Sequence, residues 1–579
     1  MESNRNKNVG EARTLYYCDK INGLKYVEMI QLNERCKRVE KCKPRQIETR
    51  SGIVEGKQLH CNKGSIDVFL GIPYAKPPTG ERRFKKPEII TPWTGIMKCK
   101  QYRSRAPQKD FFWDRIDLGV GKNEDCLYLN IIIPGWKPQS EFKNGFPVMF
   151  YIHGGGYMID SAVKYHYSKI AKLLVSKDVI VVTIQYRLGF LGFFTTNDEI
   201  CPGNFGIWDQ IMALKWIKEN IEYFGGDPDR ITVIGQSAGA ASADLLALSP
   251  HSRDLFKQII LLGGNAECSW AVSDAKTVSD YCYQKARKLG WQGTDNAKMI
   301  RFLRKLPASK FAAKLIGNKE LFTTGRLPLA PVIDGDLLPC PIIELRKQSP
   351  TKSSIVGLTE DEGLLFVAIG RLACDMKNIK AGIELIKNSV KDEIDAEQVI
   401  SEIYLNRDNK CDNINNSRRN VQRAFINMLG DLTSNYGTQL YVDKLVERGE
   451  TVYMYSLEYC NPACYGLLNF YLPFRTATHG VDLIYLLDAN IFLSPFFKTT
   501  TDKQTTQFLT QSLVNFVKYR NPNIINDKMD YAFPFVWKPV TLDSREQHLR
   551  IAHTIEMRNE FKNGRMKQLK DIFGNLILK

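Results

Sequence analysis

The chain has 579 residues, of which 44% are apolar and 25% charged, and a formal net charge of +17. That balance excludes a wholly disordered, collagenous or low-complexity protein, and no apolar run approaches the roughly 20 residues of a membrane helix. The basic surplus gathers only modestly, at Lys37 to Arg45 and Lys562 to Lys570. With no nucleic-acid motif beside either run, it reads as solvated surface.

Residues 1–46 are basic, lack apolar periodicity and are read as an extension. Their start, Met1 to Lys7, leads into polar sequence without the apolar core of a secretory signal, so a cytoplasmic location is expected. Residues 47–558 are continuous globular sequence. Runs at Pro147 to Ile152, Val179 to Ile184, Ile231 to Ile234, Ile259 to Leu262, Ile355 to Leu358 and Val452 to Tyr455 suit parallel strands covered on both faces. Ile207, Ile211, Leu214, Ile217 and Ile221 repeat at the spacing of a helix with one buried face. Strands alternating with helices predict an α/β architecture. Residues 559–579 form a basic tail, expected to be helical.

The 14 cysteines show no metal-ligand spacing. Cys460 and Cys464 are four apart but lack a second pair or nearby histidines, so neither zinc nor another metal is expected. Without an export signal, most cysteines are expected to be thiols.

The chemistry concentrates in two strand-to-loop junctions. Strand Pro147 to Ile152 runs into His153-Gly154-Gly155-Gly156, where backbone N–H groups of side-chain-free residues can approach an oxyanion. Strand Ile231 to Ile234 runs into Gly235-Gln236-Ser237-Ala238-Gly239 and then small helix-forming residues. That arrangement presents a serine on a sharp turn and adds the Ala238 amide as a third donor. A serine nucleophile needs a histidine base and an acid that fixes its tautomer. His60, His548 and His553 fall in peripheral segments, His153 in the glycine turn, and His166 and His251 in surface loops. His479 remains, late enough for the order serine, acid, histidine. Many acids lie between residues 237 and 479; Glu362 stands out because it follows strand Ser354 to Leu358 on a short loop, with Glu360 and Asp361 as rivals on periodicity alone.

These motifs resemble the type-B carboxylesterase family of α/β-hydrolases. The resemblance also rests on Gly71-Ile72-Pro73-Tyr74-Ala75, Pro77-Pro78 and Gly80, Arg83-Phe84 and Glu124 to Asn130. Further matches are Tyr186 to Gly189, Gly203 to Gly206 with Asp209-Gln210, Phe224 to Pro228, Pro331 to Gly335 and Asn521-Pro522-Asn523. It implies one large domain with a twisted, mostly parallel sheet. It also implies a cofactor-free ester hydrolase that takes a small-molecule ester. Carried over, the nucleophile falls on Ser237, the acid on Glu362, the base on His479 and the oxyanion donors on Gly155, Gly156 and Ala238. Ion pairs Arg83–Glu124 and Arg187–Asp209 are implied as well. Some relatives are non-catalytic adhesion proteins, so a non-catalytic adhesion or scaffold role remains an alternative, as does a lipase-like acylglycerol hydrolase.

The departures matter too. The residue expected to bridge to Cys126 is Ala106, with Cys99 nearby, and a second family disulfide falls on Trp291 and Phe302. One glycosylation triplet, Asn415-Asn416-Ser417, is present. Where cholinesterases carry Glu before the nucleophile this chain has Gln236. Their choline-stacking tryptophan aligns with Ile116, with Trp113 displaced, so a quaternary ammonium substrate is not expected. Asp482, three residues after His479, is a feature shared with juvenile hormone esterases.

Overall fold

The computed structural model describes residues 45–574 except 112–113, 115–118, 316–324, 388–395, 406–413, 490–497 and 524–534. Eleven strands form one sheet: β1 (Lys57–Cys61), β2 (Gly64–Pro73), β3 (Tyr128–Pro134), β4 (Phe146–Ile152), β5 (Ile180–Ile184), β6 (Gly226–Gln236), β7 (Gln258–Leu262), β8 (Ser353–Thr359), β9 (Val452–Leu457), β10 (His548–Ile551) and β11 (Ile555–Arg558). Their spatial order is β11-β10-β9-β8-β7-β6-β4-β5-β3-β2-β1. From β5 to β10 every pairing is parallel, and the pairings beyond, at both edges, are antiparallel. All six expected strands are present within this parallel core. Their uniform burial explains why continuous Val/Ile runs serve better than alternation. This is the mixed, helix-flanked sheet of an α/β-hydrolase, and the chain from Arg45 onward forms one compact unit.

Helix α1 (Phe205–Asn220) departs from the expected single buried face, because residues nearly all round it are buried. A small sheet of Gln46–Thr49, Gly52–Glu55 and Ile96–Lys98 closes over it. Trp216 Nε1 donates to Ser51 Oγ at 3.1 Å, and Arg50 N–H donates to Asn220 Oδ1 at 2.9 Å. His548 also departs from its expected peripheral setting. It lies on β10 near the sheet edge, yet it is buried, with its ring 5.3 Å from that of Phe561. The chain after β11 ends, among the described residues, in a helix, Arg565–Phe573. The helix buries Met566 and Leu569 and is tied inward by the Arg565–Asp431 ion pair at 2.6 Å.

Both implied ion pairs form and are buried. Arg83 meets Glu124 at 2.5 and 2.7 Å, and Arg187 meets Asp209 at 2.7 and 2.6 Å. Each guanidinium also donates to carbonyls of distant loops, Leu306 O and Lys85 O among them, so each pair pins chain segments far apart in sequence. Cys99 and Cys126 are separate buried thiols, and no shifted bridge joins them. Trp291 and Phe302 pack as an aromatic pair with centroids 5.8 Å apart.

Candidate active site

Strand β6 ends at Gln236, and helix α2 (Ala238–Leu248) begins at Ala238, leaving Ser237 alone at the bend. Its φ of 56° and ψ of −125° are rarely adopted by residues with a side chain. The bend closes only because its flanks are bare. A Cβ on Gly235 would meet Gly239 O at 2.0 Å, and one on Gly239 would meet Ile152 O at 2.2 Å. Ser237 N–H is committed to Leu262 O at 2.7 Å, which ties the bend to the neighbouring strand β7.

The glycine turn after β4 lies against this bend. A Cβ on Gly154 would come within 3.1 Å of Ser237 Cβ, and Gly155 and Gly156 have φ of 91° and 59°. His153 turns away from the chemistry. Its buried ring stacks on Tyr186 at 4.5 Å, and burial lowers its basicity.

Two further segments bring a carboxylate and an imidazole to the site. Glu362 opens helix α3 (Glu362–Gly370) directly after β8, and His479 lies on the loop after β9. An isolated parallel bridge between Asp361 and Thr478 places the two segments side by side. His479 Nδ1 is 2.5 Å from Glu362 Oε2, while Glu362 Oε1 accepts from Thr359 N and Oγ1 at 2.7 and 2.9 Å. Burial by itself raises the Glu362 carboxyl, but His479 and the Thr359 N–H outweigh it and hold the group below its usual value. Of the three acid candidates, Glu362 is the one that contacts His479. Asp361 accepts from Thr476 Oγ1 at 2.6 Å, and both Glu360 and Asp361 line a separate polar cleft of about 940 Å³ that contains neither Ser237 nor His479.

Ser237 and His479 line a smaller cavity of about 100 Å³, with Gly155 and Gly156 in its wall and Trp270, Leu327 and Phe366 among its apolar lining. Phe366 packs 4.9 Å from the imidazole. The Gln236 carboxamide nitrogen sits 3.2 Å from His479 Nε2. An N–H donated there requires a lone pair on Nε2 and hence a proton on Nδ1, facing Glu362. Asp482 is buried behind the site, accepts from Tyr455 Oη at 3.2 Å, and has its carboxyl pushed up to about 6 by burial and by the nearby Glu362 charge. The sequence reading did not anticipate this second role of Gln236 or the packing of Phe366. Gln236 lies within the serine motif and Phe366 within none, and only tertiary placement brings them to His479. Ile116, Trp113 and the side chains of Asn415 to Ser417 lie outside the described residues.

The model of the carboxylesterase family matches residues 43–569. This chain belongs to the carboxylesterase family. It is 36% identical over 533 residues to esterase cest-33 of Caenorhabditis elegans, covering 90% of this chain and 93% of that one. It is 30% identical over 517 residues to bile salt-activated lipase of Bos taurus, covering 86% and 82% of the two chains. Mouse neuroligin-3 is 36% identical over 346 residues, covering 52% of this chain and 40% of its own. Like these esterase relatives, the chain is a carboxylesterase-type hydrolase by family. Among its described residues no group of three or more His, Cys, Asp or Glu side chains could hold a metal ion, and no helix is long and apolar enough to cross a membrane.

Proposed function

We propose that this carboxylesterase-family chain hydrolyses neutral carboxylic esters through an acyl-enzyme on Ser237, with His479 as base and Glu362 as the acid that orients it. The observation that carries the reading is the 2.5 Å contact of His479 Nδ1 with Glu362, in a cavity wall shared with the strained Ser237. In this mechanism His479 Nε2 takes the Ser237 proton as the hydroxyl oxygen attacks the ester carbonyl. To do so the imidazole exchanges its Gln236 contact for the serine. The amides of Gly155, Gly156 and Ala238 receive the oxyanion, and each such donor is typically worth about 100- to 1000-fold in rate. The alcohol leaves with the proton returned by His479, and water repeats the sequence on the acyl-enzyme. Glu362 stabilises the imidazolium that forms in each half. The mostly apolar lining suits small or lipophilic esters.

The neuroligin likeness, confined to about half of the chain, supports a second reading as a non-catalytic scaffold, and the lipase likeness supports acylglycerol hydrolysis. A pre-steady-state burst of p-nitrophenol, equal to the enzyme concentration and absent in Ser237→Ala, supports the esterase reading. Equal slow turnover by both proteins favours the scaffold, and rate enhancement only at an oil–water interface favours the lipase. We further propose a cytoplasmic location, in keeping with the ten described cysteines all being thiols. Cell fractionation that recovers the protein with secreted or luminal markers contradicts it.

A further inference from the structure

Lys562 belongs to a basic run whose composition suggests solvated surface, yet its ammonium turns inward to the loop that carries Glu362. Lys562 Nζ donates to Thr359 O at 2.5 Å and to Glu360 O at 2.9 Å. At these two residues β8 ends and the chain bends toward Glu362. Thr359 is also the residue whose N–H and Oγ1 hold Glu362 Oε1. A single threonine thus links a lysine 203 positions further along the chain to the carboxylate that meets His479 Nδ1.

The segment around Lys562 is shaped for this reach. Lys562 and Asn563 adopt left-handed backbone in consecutive positions, with φ of 51° and 57°. Asparagine tolerates that region, but the conformation costs energy at a lysine, so neighbouring contacts must hold it. On one side Phe561 is fully buried, and its N–H donates to Glu546 Oε2 at 3.2 Å. On the other, Arg565 is bound to Asp431 at 2.6 Å, and Lys567 N–H donates to Glu546 Oε1 at 3.0 Å. The acid loop is anchored through its amides, since Glu360 N–H donates to Leu457 O and Asp361 N–H to Ala477 O, both at 2.9 Å. Lys562 takes the carbonyl side. Burial lowers the basicity of its ammonium, while the charges of Glu362, Asp361 and Glu458 favour the protonated form and that of Arg565 opposes it. In return the ammonium adds to the forces that hold the Glu362 carboxyl below its usual value.

We propose that Lys562 is a positioning residue for the triad: its ammonium clamps the Thr359 and Glu360 carbonyls, and through Thr359 it holds Glu362 in line with His479. One ammonium offers three N–H groups and so can serve both carbonyls at once. The inference rests on the esterase reading and adds to it a residue that acts through the acid loop rather than on the ester. Lys562, Glu360 and Asp361 also line the polar cleft of about 940 Å³, so the ammonium lies where a small amine can take its place.

The test uses the full-length chain with Lys562→Gly, which removes the ammonium and leaves a residue at ease in left-handed backbone. The expected kcat on p-nitrophenyl acetate falls on the order of 10- to 100-fold, the scale of a catalytic group misplaced by about 1 Å, and KM is unchanged. Added n-butylammonium, the lost side chain as a free ion, restores kcat in the variant. The neutral n-butanol does not, and neither compound accelerates the unmutated protein. Urea denaturation checks that the variant is folded under the assay conditions, and Lys562→Met, which keeps an apolar stem, is the second variant should the first not fold. An undiminished kcat in a folded variant, or a change confined to KM, overturns the positioning role. So does recovery by n-butanol as well as by n-butylammonium, or by neither. If the unmutated protein turns over no ester and a fluorophosphonate leaves Ser237 unlabelled, the esterase reading falls and the inference with it.

Discussion

Replacing Glu362 by Gln tests the acid at the level of single protons. In the structure Oε1 accepts two hydrogen bonds from Thr359 and Oε2 accepts the Nδ1 proton of His479. A carboxamide has only one oxygen, and the two Thr359 donors hold it. The amide nitrogen then faces Nδ1 and donates, so Nδ1 must accept and the proton moves to Nε2. An imidazole protonated at Nε2 cannot take the serine proton, and it also meets the Gln236 N–H as donor against donor. The expected loss in kcat is on the order of 10⁴-fold, the cost of the wrong tautomer in serine triads, which corresponds to about 5.4 kcal/mol of transition-state stabilisation. Steady-state kinetics on p-nitrophenyl acetate reads it, with thermal unfolding as a control for fold. Glu360→Gln, on the side of the other cleft, should change kcat by less than about 3-fold. A Glu362→Gln protein within 10-fold of the original kcat, or one changed only in KM, would refute the reasoning.

Other positions give sharper, narrower tests. Gly155→Ala places a Cβ 2.2 Å from Ile159 O at a φ of 91°, so it should displace an oxyanion donor and lower kcat about 100- to 1000-fold, as steady-state assays will show. Gln236→Glu puts a carboxylate near His479 Nε2, favours the imidazolium, and should move the acid limb of the kcat/KM profile upward by roughly one pH unit. An unmoved or lowered limb contradicts it. Asp209→Ala leaves the buried Arg187 guanidinium without its partner and should cost about 3 to 5 kcal/mol in urea denaturation.

What was legible in the sequence follows from what physics writes locally. The six core strands are written as Val/Ile runs because both their faces are covered. The bend at Ser237 and the turn at Gly154 to Gly156 are legible because close backbone approach leaves no room for side chains. The acid was only partly legible from the residues themselves, which pointed to Glu362 but left its two neighbours as rivals. Glu360, Asp361 and Glu362 are adjacent and chemically alike, and only the register of Asp361 against Thr478 decides which carboxyl reaches the imidazole. The family resemblance supplied what local pattern could not. The edge strands β1 and β11 escaped because their partial exposure mixes polar with apolar residues, as in Lys57–Cys61 and Ile555–Arg558, and the largely buried β2, β3 and β10 were not anticipated either. The depth of helix α1 escaped because the small sheet that covers it comes from distant sequence.

The central claim is that the hydroxyl at the bend is a nucleophile activated from across the fold. The most direct measurement is covalent labelling of the full-length protein with a fluorophosphonate, followed by mass mapping of the modified peptide, in parallel with the His479→Ala protein. The account predicts one stoichiometric adduct on Ser237 that forms at least 100-fold more slowly when His479 is removed. No adduct, an adduct on another serine, or a rate indifferent to His479 would contradict it.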